Sequence, residues 1–132
     1  MAKKDVLKPA KVWNTQHLSF SQGIAVKGGS SLIFVAGQAA FDKDGKVVGK
    51  GDIALQTRVT FDNIKAVLGS GGASLEDVVR ITVYLTDIRH MPAMQRVRAE
   101  YFSGNYPAST GVQVSCLAHE DLLVEIDAIA VI

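Results

Sequence analysis

From Leu18 the chain alternates. Leu18, Phe20, Gln22, Ile24 and Val26 fall on one side and Ser19, Ser21, Gly23 and Ala25 on the other, as a pleated strand requires. Leu32 to Gln38 follows the turn sequence GGSS as a nearly unbroken apolar run, so the two segments predict a hairpin. A short third strand is expected at Lys46 to Val48, after DKDG. The period then changes. Asp52 is a good N-cap, and Ile53, Thr57, Thr60, Phe61, Ile64, Val67 and Leu68 recur at spacings of three and four until Gly69, a natural stop for a helix. Val78 to Thr86 alternates again, with Val79, Ile81, Val83 and Leu85 on one face and Arg80, Thr82 and Tyr84 on the other. Pro92 suits the first turn of a second helix that carries Met94, Val97, Tyr101 and Phe102 inward and ends near Gly104. Two strands close the chain, Thr110 to Leu117 and Leu122 to Ile132, joined by the turn AHED. The predicted order is β-β-β-α-β-α-β-β, an α+β domain over residues 1–132 in which 1–15 form a peripheral segment.

The last strand carries a conflict. Leu122, Val124, Ile126, Ala128, Ala130 and Ile132 belong under the two helices, so Leu123, Glu125, Asp127, Ile129 and Val131 face the other way. Two helices cover only one side of such a sheet, and a contiguous apolar patch is seldom left exposed on a monomer. The uncovered face is therefore expected to pack against copies of the same chain, which shelters Glu125 near a subunit boundary. A sheltered carboxylate pairs, accepts hydrogen bonds or has a raised pKa; it is either a structural acid or a general acid or base. Asp127, two residues on along the same face, is close enough to raise its pKa further.

Composition narrows the chemistry. A net charge of +1 offers no field for phosphate backbones, so nucleic acid is not an expected partner. No run approaches the roughly 18 apolar residues of a membrane span, and the N-terminus lacks the apolar core of a signal peptide. A soluble cytoplasmic protein is the expectation. The single cysteine, Cys116, alternates with Val112 and Val114 and is expected to be an inert thiol on the helix-facing side. His17, His90 and His119 are not in metal-ligand spacing and read as surface or turn residues; no metal is expected.

FSQG at 20–23, VAGQ at 35–38, TFDNIKAVLGSGGASLEDVVRITVYLTD at 60–87, YPAST at 106–110 and VEIDAIAV at 124–131 resemble the RidA/YjgF family of reactive-intermediate deaminases. The resemblance runs over almost the whole chain after Thr15. It implies a chorismate-mutase-like protomer and a homotrimer whose sheets enclose a barrel, with sites in the clefts between neighbours. It also implies cofactor-free hydrolysis of small imines or enamines, such as 2-iminobutyrate, to ammonia and a 2-keto acid. In the family an arginine after the Pro-Ala of the strand-entry motif holds the substrate carboxylate, and a glutamate on the last strand positions water. The glutamate matches Glu125. The arginine position is Ser109, the cysteine position is Gly111 and the tyrosine of the first strand is Phe20. A serine hydroxyl replaces a charged two-pronged fork, a loss of about 1.5–3 kcal/mol in anion binding.

Either Ser109 is neutral filler in a decayed site, or the site is reshaped for another substrate, for example one of the 2-aminomuconate type. Arg98 is the best candidate to restore the charge, being close to the inward face of its helix, unless it only snorkels into water. Arg80 is next, facing with Thr82 and Tyr84, with surface pairing to Glu76 or Asp77 explaining it equally well. Gln38 orients a water or substrate oxygen, Gly37 allows close backbone approach or marks a bulge, and Ser109, Thr110 and Gly111 offer hydroxyl and backbone donors. The expected function is a cofactor-free deaminase with Glu125 as the catalytic acid; the alternative is a non-catalytic trimeric protein that binds a small metabolite. A translation-inhibiting ribonuclease, the family's old label, does not fit the near-neutral charge.

Overall fold

The computed structural model describes residues 3–14, 22–28, 30–103 and 106–132, so Leu18, Phe20, His17 and Gly104 lie outside the described residues. Six strands form one mixed sheet: β1 (Lys3–Leu7), β2 (Gly23–Gly28), β3 (Ser30–Ala39), β4 (Val78–Leu85), β5 (Ala108–Gln113) and β6 (Val124–Val131). Their spatial order is β1-β2-β3-β6-β4-β5. All neighbours are antiparallel except β4 and β5, which run parallel. Two helices, α1 (Ile53–Ser70) and α2 (Met91–Tyr101), cover one face.

The helices form where the periodicity places them. Asp52 caps α1 by accepting from the Leu55 backbone N–H at 3.0 Å. The helix runs past Gly69 to Ser70, with Gly71 as the cap, because Gly69 adopts helical geometry without strain. The inward residues Phe61, Ile64, Val67 and Leu68 meet Ile81, Val83 and Leu85 of β4 and Val124, Ile126, Ala128 and Ala130 of β6 in one apolar core. Phe61 stacks on Tyr101 at 5.2 Å and meets the edge of Phe102 at 5.7 Å, joining the helices through ring pairs worth about 0.5–1.5 kcal/mol each.

Several expectations need correction. The third strand expected at Lys46 to Val48 does not form: the segment makes only an isolated bridge, Phe41 to Val47. Gly49 and Gly51, at φ 70° and 77°, turn the chain directly into α1 and leave no length for a strand. The N-terminal segment supplies a strand instead: β1 pairs with β2 at the sheet edge, and Leu7 and Val12 are buried in the core. The strand expected at Thr110 to Leu117 spans Ala108 to Gln113. Its last link is Val114 N–H to the Leu85 carbonyl at 2.8 Å, after which the chain leaves the sheet. Cys116 is therefore exposed rather than in the core, and Val112, paired with Tyr84, lies on the face away from the helices. Arg80 reaches Thr110 rather than Glu76 or Asp77.

The face away from the helices is apolar along one row. Val6 lies opposite Ile24, Ile24 opposite Phe34, and Phe34 opposite Ile129, across β1, β2, β3 and β6. Val6 is 48% exposed and Phe34 43%.

Candidate functional site

Glu125 sits on β6 with its side chain on the open face, between Ala39 of β3 and Tyr84 of β4. The entry of β6 is fixed from beneath by Gln56 of α1. Its buried amide donates to the Asp121 carbonyl and accepts from the Leu123 N–H, both at 2.8 Å, two residues before the acid. The β3–β6 register slips by one residue between Val35 and Gln38. That bulge leaves Gly37 exposed beside Glu125: a Cβ on Gly37 would stand 2.9 Å from Cδ and 3.1 Å from Oε1 of the carboxylate. The glycine makes room for the acid itself.

The bulge also turns Gln38 inward, where it is 3% exposed. Its amide donates to the side-chain oxygen of Gln22 and, at 3.1 Å, to the Ala36 carbonyl. Gln22 in turn donates to the Trp13 carbonyl at 2.8 Å. Gly37, Gln38 and Glu125 line one cavity of about 340 Å³ together with Trp13, Asn63 and His119. Asn63 is held by the Ala39 and Phe41 carbonyls at 3.0 and 3.1 Å.

Among the described residues Glu125 has neither a hydrogen-bond partner nor a cation within salt-bridge range. Burial, and secondarily the charge of Asp127, push its carboxyl above its ordinary pKa. Asp127 itself accepts from Tyr84 Oη at 3.3 Å. The Asp127 charge, burial and the hydrogen bond together raise the phenol above its ordinary value, with a smaller contribution from Glu125. An unpaired carboxylate with raised proton affinity can take a proton from water or give one to a leaving group.

Ser109, Thr110 and Gly111 lie elsewhere. They sit on β5, the far edge of the sheet, and Ser109 pairs with Ile81, so its side chain points to the helix face. Arg98 of α2 donates to Ser109 Oγ at 3.2 Å, and Arg80 donates to Thr110 Oγ1 at 2.6 Å from the open face. Neither arginine is in an ion pair among the described residues. Met91 of α2 fills the space over Gly111. The sheet itself separates Ser109 from Glu125. One protomer therefore brings Gly37, Gln38 and Glu125 together, sets Arg98 with Ser109 on the helix face of β5, and sets Arg80 with Thr110 on its open face; Phe20 is outside the described residues.

Trp13 lies in no motif, whereas Gln22 and Asn63 fall within FSQG and TFDNIK, where neither residue type by itself marks a site. The one available cue for Trp13 was its being the sole tryptophan of the chain. His119, read as a turn residue, hydrogen-bonds the Asp121 N–H at 3.0 Å through Nδ1 and borders the cavity. Among the described residues no three His, Cys, Asp or Glu side chains cluster as metal ligands, and no helix is long and apolar enough to cross a membrane.

The profile of the endoribonuclease L-PSP family matches residues 15–132. A RutC family protein of Pyrococcus abyssi is 46% identical over 111 residues, 84% of each chain. RidA from an Antarctic Psychrobacter superposes with a TM-score of 0.85 at 32% identity, over 97% of this chain and 99% of that one. TdcF of Escherichia coli, solved with bound serine, gives 0.82 at 27% identity, over 97% and 98%. Two helices on one face of a mixed six-stranded sheet give this chain the fold of those structures. The chain belongs to the RidA/YjgF (endoribonuclease L-PSP) family, which comprises imine deaminases and small-molecule binders.

Proposed function

We propose that the protein is a homotrimeric, cofactor-free deaminase of small imines and enamines, with each site assembled from two copies. The observation that carries this reading is Glu125, unpaired among the described residues and raised in pKa, in a cavity with Gln38 and Gly37. Glu125 takes a proton from water as the oxygen adds to the C=N carbon. Glu125 passes that proton to the substrate nitrogen. It then takes the hydroxyl proton of the carbinolamine and delivers it to the amine as the C–N bond breaks, releasing ammonia and a carbonyl product. An enamine reacts after tautomerisation to its imine. Arg98 and Ser109 of the neighbouring copy hold the anionic end of the substrate, which gives the site a cation despite Ser109. The apolar row through Phe34 supports burial of the open face against other copies.

The test is ammonia release from freshly generated 2-iminobutyrate and from 2-aminomuconate. Glu125→Gln loses about 10²–10⁴ of the rate on whichever substrate the wild type turns over. Equal rates for wild type and Glu125→Gln on both compounds exclude Glu125 as the catalytic base.

A second reading, a trimeric metabolite-binding protein without turnover, is favoured by the uncharged Ser109 and by the serine bound to TdcF. Saturable binding of serine with no ammonia released from either imine distinguishes it.

A further inference from the structure

The N-terminal segment places its aromatic residue in the acid's cavity. Leu7 and Val12 are each 6% exposed and anchor the segment in the core on either side of the turn at residues 8–11. Gln22, itself joined to Gln38, holds the Trp13 carbonyl. The indole lies face-on over Gly45: a Cβ there would meet Cε2 first, with Nε1 and Cζ2 at 2.6 and 2.7 Å on either side. Phe41 closes against it at 5.0 Å, tilted by 49°. The ring is thus fixed by its backbone, by a glycine beneath it and by a second ring, and it borders the same cavity of about 340 Å³ as Glu125.

A fixed aromatic wall and a single carboxylate in one cavity select a recognisable ligand. The π system favours a flat, electron-poor or cationic group within about 6 Å of the ring centroid, and the carboxylate favours an N–H donor. A saturated chain gains only the area it buries. We infer that Trp13 and Glu125 together make a subsite for flat, conjugated nitrogen groups, amidinium-like or iminium-like, and that Trp13 sets the preference for conjugated over saturated substrates. This rests on the Glu125 cavity being the substrate site and deepens that reading by naming the residue that discriminates among its substrates.

The experiment reads binding separately from turnover. Trp13 is the chain's only tryptophan, so its fluorescence reports on the surroundings of this one indole, and the Glu125→Gln variant assigns the signal to the Glu125 cavity. Benzamidine, a flat conjugated cation, is titrated against acetamidine, a cation without a ring, by tryptophan quenching and by calorimetry on the intact protein. Benzamidine binds more tightly, quenches saturably, and is weakened by Glu125→Gln. Trp13→Leu, which keeps bulk but removes the ring, weakens benzamidine by about fivefold to thirtyfold, while Trp13→Phe holds it within about threefold. Acetamidine is changed less than about threefold by Trp13→Leu. A thermal melt of each variant confirms that the fold is retained; if Trp13→Leu melts out, Trp13→Phe and Trp13→Tyr against Trp13→Met carry the same comparison. Equal benzamidine affinity in wild type and the ringless variant overturns the proposal, as does a wild type that binds neither probe or prefers acetamidine. Glu125-dependent ammonia release from 2-iminobutyrate can persist in all those cases, so the loss of the Trp13 subsite is distinguishable from the loss of the deaminase reading.

Discussion

Gly37 and Glu125 share one space: the hydrogen at Gly37 Cα occupies a position from which a methyl carbon would press on the carboxylate at 2.9 Å. Gly37→Ala therefore displaces the acid rather than the core, since Gly37 is exposed. The expected result is a fall in kcat of about 10²-fold, typical of a reactive group shifted by roughly 1 Å, with a melting temperature within about 3 °C of wild type. Wild-type kcat in Gly37→Ala means that the acid does not act from its observed position.

Glu125 also makes stability depend on pH. Its proton is held more tightly in the folded chain than in the unfolded one, so stability is lost as pH rises from the ordinary glutamate range through the raised value and is recovered below it. Glu125→Gln removes that loss. The variant melts about 1–3 °C above wild type at pH 8, and the gap closes toward pH 4. A gap of the same size at both pH values assigns the effect to something other than the carboxylate charge. The rate follows the opposite course, rising with pH as Glu125 ionises, with its midpoint above the ordinary carboxylate range.

Arg98 reaches Ser109 with one nitrogen at 3.2 Å, which leaves its other donors for an anion. Arg98→Ala raises KM for a carboxylate-bearing imine about 10–100-fold with little change in kcat, and Arg98→Lys restores part of it. Ser109→Arg lowers KM for 2-iminobutyrate. A KM for Arg98→Ala equal to wild type removes this arginine from the site.

Phe34 lies at the centre of the apolar row on the open face. Phe34→Glu sets a charge where a neighbour is expected to pack and gives a species of one chain, 14.1 kDa, in sedimentation. If wild type already sediments as a single chain, the shared site fails with it.

Much of this architecture is legible in the alternation and the helical spacing. The face assignment of Glu125 follows from β6 alone, because period-two pleating admits no other solution once Val124, Ile126 and Ala128 are buried. What escaped depends on contacts distant in sequence. Trp13 enters the cavity only because β1 pairs with β2 and the turn that follows folds back on Gly45, and no local pattern records that path. Gln56 and Asn63 read as polar residues on a helix, yet both bond to carbonyls far along the chain. Cys116 misled because an alternating pattern continued past Gln113, where the backbone had already left its partner strand. The separation of Ser109 from Glu125 by the sheet requires the parallel pairing of β4 with β5, which periodicity cannot distinguish from an antiparallel one.

In the proposed trimer that separation makes each cleft a joint product of two chains, and it allows crippled subunits to rescue one another. When Glu125→Gln and Arg98→Ala copies are unfolded and refolded together, some clefts pair the intact carboxylate of one with the intact guanidinium of the next. At substrate well below KM, the refolded mixture then releases ammonia faster than the average of its two parents.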